Sequence, residues 1–203
     1  RALFAAQMFL SHDRCTLSQL FLRCEYGIGA SLSMRDEIWS GGNGRCAEIG
    51  HIQVVRRGGK PCVCGKSGCL ETIASPSAIQ EEALRICSPK RTPLLWHIKE
   101  NQGGDIDLDT ILDAARHGDS GVARIVERAV RALGAALKSA IYIVDPQKIV
   151  LYGHLFENNY FLSLLMADMH EGIDNDHSDV IIEKSPFNNT LDPVAAGILT
   201  IEK

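Results

Sequence analysis

The chain is predicted to be an α/β protein built on a mixed sheet, and three features of the sequence carry that expectation. Short apolar runs of strand composition alternate with segments of helical period. The longest helical pattern, Ser120 to Val144, keeps an unbroken apolar stripe, and two strand-like runs near the start are joined by a tight turn. At 203 residues, with 45% apolar and 23% charged, the chain is long enough to bury a core and has none of the composition of a disordered one.

The elements follow in order. Ala2, Leu3, Ala5, Ala6, Phe9 and Leu10 mark an opening helix, and Ser11-His12-Asp13 reads as a turn. Thr16 to Cys24 and Gly27 to Met34 are predicted strands, with Arg35-Asp36 turning into a third run, Glu37 to Trp39. Ser40 to Gly44 is a Gly-rich loop, and Gly50 to Val55 reads as another strand. Gly27 and Gly29 are most simply read as a strand kink or tight turn. Cys69 to Ser75 starts a helix; Pro76, at a first helical position after Ser75, opens the next through Ile86. From Ser88 to Gly104 prolines, glycines and basic residues recur without period, so a loop is expected, with one short helix around Leu94 to Ile98.

Asp107 to His117 is a short helix stopped by Gly118. In Ser120 to Val144 the residues Val122, Ile125, Val126, Ala129, Leu133, Ala136, Leu137, Ala140 and Ile141 recur at spacings of three and four, which marks a core face. Asp145-Pro146 ends it before a buried strand, Lys148 to Tyr152. Asn158 to Met169 reads as a helix, Val180 to Glu183 as a strand, and Asp192 to Ile201 as a closing helix.

The chemistry is concentrated in Glu48-Ile-Gly-His51 and in Cys62-Val-Cys64-Gly-Lys-Ser-Gly-Cys69-Leu-Glu71. Three cysteines and a histidine supply the sulfur and imidazole donors that suit tetrahedral zinc, and Gly65 and Gly68 permit the tight turns that would gather them. His51, Cys62, Cys64 and Cys69 are therefore expected to hold a structural Zn2+. Four protein ligands leave no open position for a reacting water, which argues against metal catalysis. Buried thiols and a disulfide are the competing readings. The first fits poorly with the intervening Gly, Lys and Ser, and the second with an odd total of seven cysteines and no secretory signal. Arg56, Arg57, Lys60 and Lys66 lie where they could offset the negative charge of such a centre. Cys15, Cys24, Cys46 and Cys87 are read as buried thiols, and the histidines other than His51 and His154 as ordinary turn or helix-end residues.

A net charge of −4 provides no broad basic field for nucleic acid, so this stretch is not expected to contact DNA itself. No apolar run approaches the ~20 residues that cross a bilayer. A cytoplasmic protein with no membrane partner and with reduced or metal-bound thiols is expected.

The order Gly-Ile-Gly-Ala (27 to 30), Glu-Ile-Gly-His (48 to 51) and Cys-x-Cys-Gly-x-x-Gly-Cys-Leu-Glu (62 to 71) resembles the ROK family of sugar kinases and sugar-responsive repressors. The cysteine block is the specific part of that likeness, and with the helical tail it covers nearly the whole chain. It implies the actin-like, hexokinase-type (ribonuclease H-like) fold, of which residues 1–203 would be mostly the second, C-terminal lobe, with an inserted zinc loop over 51–69. It also implies that Glu48, His51 and Glu71 hold sugar hydroxyls, His51 ligating zinc as well.

In ROK kinases a catalytic aspartate ends an Asn-Asp pair just before the opening helix. By that alignment it falls immediately before Arg1, and the chain, which opens without Met, resembles the later part of a longer protein. The family's phosphate-contacting hairpin begins Gly-Thr-Gly; here its first two positions are Glu25 and Tyr26, a carboxylate and a bulky phenol that oppose a polyanion. Tyr152 and His154 likewise stand where the kinases carry a Gly-rich turn beside the nucleotide. The resemblance is therefore strongest to the N-acetylglucosamine and xylose repressor group. It implies an effector-binding and dimerising lobe for a sugar or sugar phosphate, a homodimer or higher oligomer, and DNA contact through a winged helix-turn-helix upstream of Arg1. The alternative is an ATP-dependent sugar kinase.

Overall fold

The computed structural model describes residues 2–10, 18–35, 37–102 and 106–187. Among these, β1 (Gln19–Cys24), β2 (Ile28–Met34), β3 (Glu37–Trp39), β4 (Lys148–Tyr152) and β5 (Ile181–Lys184) form one sheet in the order β3-β2-β1-β4-β5. The first three strands are an antiparallel meander, whereas β4 lies parallel to β1 and β5 parallel to β4. The sheet is mixed, as the alternation of elements predicts: antiparallel neighbours need only tight turns, and each parallel addition follows a helical crossover.

The helices are α1 (Ala2–Leu10), α2 (Glu71–Ala74), α3 (Pro76–Ile86), α4 (Pro93–Gln102), α5 (Leu108–Arg116), α6 (Ser120–Val144) and α7 (Asn159–Gly172). Strand alternation divides the burial between two faces. Leu20, Leu22, Cys24, Ile149 and Leu151 point into the main core, where the apolar stripe of α6 and residues of α3, α5 and α7 meet them. Phe21, Val150 and Tyr152 point the other way and pack with Ala6 of α1. Ser31 pairs with Phe21 and Gly29 with Arg23, so these β2 residues share the α1 face. Past α1 that face opens into a cleft, and Arg23, Gly29 and Ser31 form part of its floor.

The predicted elements are found with four changes. Residues 50–55 are not a strand: a 3-10 turn spans Ile49–His51, and Gln53 makes only an isolated bridge with Cys69. Val54 and Val55 both donate to the Gly68 carbonyl, at 2.9 and 3.0 Å, so this segment closes on its own loop instead of joining the sheet. The short helix expected at 94–98 is the longer α4. Its first donors, Leu94 and Leu95 N–H, each bond the Asp119 carboxylate at 3.1 Å. The same buried side chain caps α6 through Gly121 and Val122. One residue thus starts two helices across 24 positions, a partnership no local pattern reveals. Helix α2 is shorter than its predicted segment, and α7 runs on to Gly172. The turn at 11–13, the closing helix at 192–201 and Cys15 lie outside the described residues.

Candidate metal centre and adjoining cleft

Residues 60–68 fold as a small hairpin. Cys62 N–H donates to Lys66 O (2.8 Å), Gly65 N–H to Cys62 O (3.0 Å) and Gly68 N–H to Lys60 O (2.8 Å). Gly68 has φ +75°, and a Cβ there would overlap the Val55 carbonyl, so glycine is required both for conformation and for contact. The hairpin carries Cys62, Cys64 and Cys69 to the end of the 3-10 turn that bears His51. One donor atom from each of the four lies within 4.8 Å of all the others.

Their spacing fits a tetrahedral cation. Bonds of ~2.3 Å to sulfur and ~2.0 Å to nitrogen give tetrahedral edges of about 3.8 Å between sulfurs and about 3.5 Å between sulfur and nitrogen. Cys64 Sγ and Cys69 Sγ are 3.6 Å apart, and Cys62 Sγ is 3.5 Å from His51 Nδ1. The sulfurs are in contact without being bonded, and the described cysteines are free thiols, which removes the disulfide reading for them. This cluster could hold a metal ion. Binding would have to displace protons, because burial pushes the Cys62 thiol up to about 12 and also raises Cys69. Cys64 is the exception: the backbone N–H of Lys66 lowers it.

Of the basic residues expected to offset the centre, Lys66 is close, donating to His51 O at 2.8 Å. Lys60 turns away to α3, where it meets Glu81 at 3.4 Å and Glu82 at 3.2 Å.

The two acids flank the histidine. His51 Nδ1 is 3.3 Å from Glu71 Oε1, and Nε2 is 3.9 Å from Glu48 Oε2. Glu71 Oε1 also accepts from Cys62 Sγ at 2.9 Å. Glu48 and Glu71 line the cleft beside the sheet, a space of about 520 Å³ whose floor is Arg23, Gly29 and Ser31. That volume suits a small polar molecule. The position of Glu48 depends on Gly50, whose backbone packs so close to β2 that a Cβ would overlap the Ile28 carbonyl.

Arg23, Ser31 and Cys46 also line this cleft and are missing from the sequence-predicted site. Arg23 carried a readable signal, a charge on the same face of β1 as Phe21. Gly29 is neither kinked nor at a turn; it sits in the regular ladder opposite Arg23 with open space above it. Gly27 does occupy a bend, 3.2 Å from Glu71 Oε2 if given a Cβ.

Two other sequence expectations change. Tyr152 is fully buried, its ring 5.6 Å from that of Phe21, so its bulk belongs to the packing under α1. His154 is exposed and pairs with Asp109 at 2.8 Å. Glu25 and Tyr26 stay at the β1–β2 turn, with Tyr26 92% exposed and its carbonyl held by Ser77 Oγ at 2.6 Å.

An actin-like α/β fold with a His/Cys3 cluster beside a polar cleft defines the class of protein. The ROK family profile matches residues 3–190, and the chain belongs to that family. The Escherichia coli K12 "DNA-binding transcriptional dual regulator NagC" is 35% identical over 160 residues, covering 77% of this chain and 37% of NagC. A glucokinase of Halalkalibacterium halodurans is 32% identical over 137 residues, covering 67% of this chain and 41% of that enzyme. Among solved structures, a ROK family transcriptional regulator described as a homologue of E. coli MLC superposes with a TM-score of 0.74 at 27% identity, over 98% of this chain and 50% of that one. A Streptomyces griseus ROK glucokinase in complex with glucose and AMPPNP gives 0.80 at 22% identity, over 100% of this chain and 66% of that one. The chain thus spans about two fifths of the length of these curated relatives, which include both regulators and kinases. No described helix is long and apolar enough to cross a membrane.

Proposed function

We propose that this chain is the effector-binding lobe of a ROK-type transcriptional regulator of carbohydrate metabolism. Glu48, His51 and Glu71 hold hydroxyls of a sugar or sugar phosphate, and a structural zinc ion on His51, Cys62, Cys64 and Cys69 fixes their spacing. The observation that carries this reading is the double contact of Glu71. It lines the cleft with Glu48, yet it also touches two of the four metal-donor residues, His51 and Cys62. Carboxylates accept strongly from hydroxyls, and two of them at fixed separation select a polyhydroxylated molecule. Zinc supplies a closed coordination shell and no chemical step; the loop it ties is what orients Glu71.

By likeness to NagC, the intact protein binds DNA through a segment outside this chain. It does so as a homodimer or higher oligomer whose DNA-competent population shifts when sugar binds. The kinase reading has support of its own, since glucokinases are among the relatives. Glu25 and Tyr26 weigh against it: a carboxylate and a phenol fill positions that the family's kinases keep small for nucleotide phosphates. Tyr152 lends no weight, being core.

Calorimetric titration of the full-length protein with glucose, N-acetylglucosamine and their 6-phosphates tests the reading. Binding of at least one, weakened about tenfold or more by Glu48→Gln and by Glu71→Gln, is expected. A coupled assay showing robust ATP-dependent phosphorylation of a hexose would establish the kinase instead.

A further inference from the structure

On the side of the helical layer formed by α3 and the start of α6, a separate pocket of about 370 Å³ is lined by Arg91, Arg124 and Arg128. Arg124 and Arg128 stand four apart on α6, where like charges repel, so folding alone gives no reason for the pair. Arg91 comes from the turn before α4. Its carbonyl packs so tightly against Gly121 that any Cβ on Gly121 would overlap it, which fixes the turn against the first residues of α6. The other arginines on these elements are paired: Arg85 with Glu82 at 2.7 Å, and Arg131 with Glu127 at 3.8 Å. Among the described residues, no carboxylate lies within ion-pair distance of Arg91, Arg124 or Arg128.

The acid in the pocket wall, Glu82, does not neutralise them. Its carboxylate faces Arg85 and Lys60, and the Arg85 guanidinium beside it holds it well below the usual range, at about 2. Three unpaired guanidiniums therefore surround a space whose remaining wall, Ile86 and Ile125, is apolar.

We propose that this pocket is an anion site for a small phosphate ester, distinct from the cleft at Glu48 and Glu71. Guanidinium forks match phosphate oxygens in pairs, and the isoleucines accommodate a carbon skeleton. No covalent step is involved, and the proposal does not depend on the cleft binding a sugar.

The test is calorimetry on the full-length, metal-loaded protein, with inorganic phosphate, glucose 6-phosphate and unphosphorylated glucose as probes, at two salt concentrations. Arg124→Gln and Arg128→Gln, separately and together, are compared with Arg131→Gln, which removes one charge from the same helix outside the pocket. The expected result is phosphate-dependent binding weakened about tenfold or more by the double substitution and less than twofold by Arg131→Gln. Inorganic phosphate and the ester binding alike assigns the site to the phosphate group; tighter binding of the ester assigns the carbon skeleton to the isoleucine wall. Absence of phosphate binding, or a loss in Arg131→Gln equal to that in the single pocket variants, would overturn the proposal. So would a DNA duplex that alone binds these arginines. Thermal melts of each variant separate a lost site from a lost fold, because all three exchanged arginines are exposed.

Discussion

Gly50→Ala should damage the fold and the cleft together, and Gly29→Ala should damage the cleft alone. At Gly50 a Cβ would overlap the Ile28 carbonyl oxygen and stand 3.0 Å from its carbon and 3.3 Å from Ile28 Cβ. Carbon atoms rest at about 3.5 to 4.0 Å, so the 3-10 turn must retreat from β2 by something near 1 Å. The obstacle is backbone inside the sheet and cannot swing away. Overpacking of this kind costs about 1 to 3 kcal/mol, which for a chain of this size lowers the melting temperature by roughly 2 to 4 °C per kcal/mol. The retreat carries Glu48 and His51 with it. If each loses a charge-assisted hydrogen bond worth about 1.5 kcal/mol or more, sugar affinity falls by about 100-fold. At Gly29 nothing lies within 4 Å of an added Cβ, and the residue is in regular strand conformation. Alanine there should leave the melt within a degree or two of the parent, yet it adds a methyl to the cleft floor and weakens sugar binding. Scanning calorimetry and sugar titration on both variants check the pair. A Gly50→Ala protein with parental stability and affinity would refute the argument that this glycine sets the turn against the sheet.

Removing the metal by chelation should release one zinc per chain, and hydrogen exchange should then rise across 52–70 while β1 and β4 stay protected; structural zinc contributes on the order of 10 kcal/mol to small sites, so the melt should fall sharply. Glu82, held chiefly by Arg85 on its own helix and then by Lys60 of the metal loop, supplies an acid-sensitive tie at α3. Its folded pKa of about 2 lies below its unfolded value near 4.5, so the tie is fully present above about pH 4.5 and is lost as pH falls toward 2. Denaturation at pH 7 should show Glu82→Gln less stable by about 2 to 3 kcal/mol, and the gap to the parent should close through that acid window. Asp119→Ala removes the cap of two helices at one buried position and should cost about 2 to 4 kcal/mol by urea denaturation. Asp119→Asn, which keeps one acceptor, should cost less.

The sequence was most legible where periodicity is long or donor chemistry is dense. Helix α6 runs from Ser120 to Val144 as its apolar stripe dictates, because 25 residues of one period leave no competing assignment. The four members of the His/Cys cluster were readable as a set for a related reason: soft side chains among glycines have no packing role to imitate. What escaped depended on partners distant in sequence. The full length of α4 required Asp119, the true setting of Tyr152 required Phe21 and α1, and Arg23 became a cleft residue only when β1 paired with both β2 and β4. The segment 50–55 failed differently. Its β-branched residues do prefer extended backbone, but their hydrogen bonds go to Gly68, and only the closed loop shows that.

The two acids of the cleft both face His51 but rest on different supports, one on the donor cluster and the other on the sheet. Much of the loop between His51 and Cys69 is exposed, Val63 by 96%, so apolar burial contributes little to fixing it. Its remaining ties are a few backbone hydrogen bonds, the Lys66 bond to His51 and the Lys60 contacts with α3. Glu71 makes its side-chain contacts with His51 and Cys62, and its orientation follows the donor cluster. Glu48 instead precedes a turn seated on Ile28 through Gly50, which belongs to the sheet. Loss of metal would loosen the loop that carries Cys62 and should therefore shift Glu71 more than Glu48, whereas Gly50→Ala displaces Glu48 first. A ligand that needs both carboxylates senses either failure. A cleft that depends on a loop with so little core of its own has reason to retain three cysteines and a histidine placed where they could hold a metal ion.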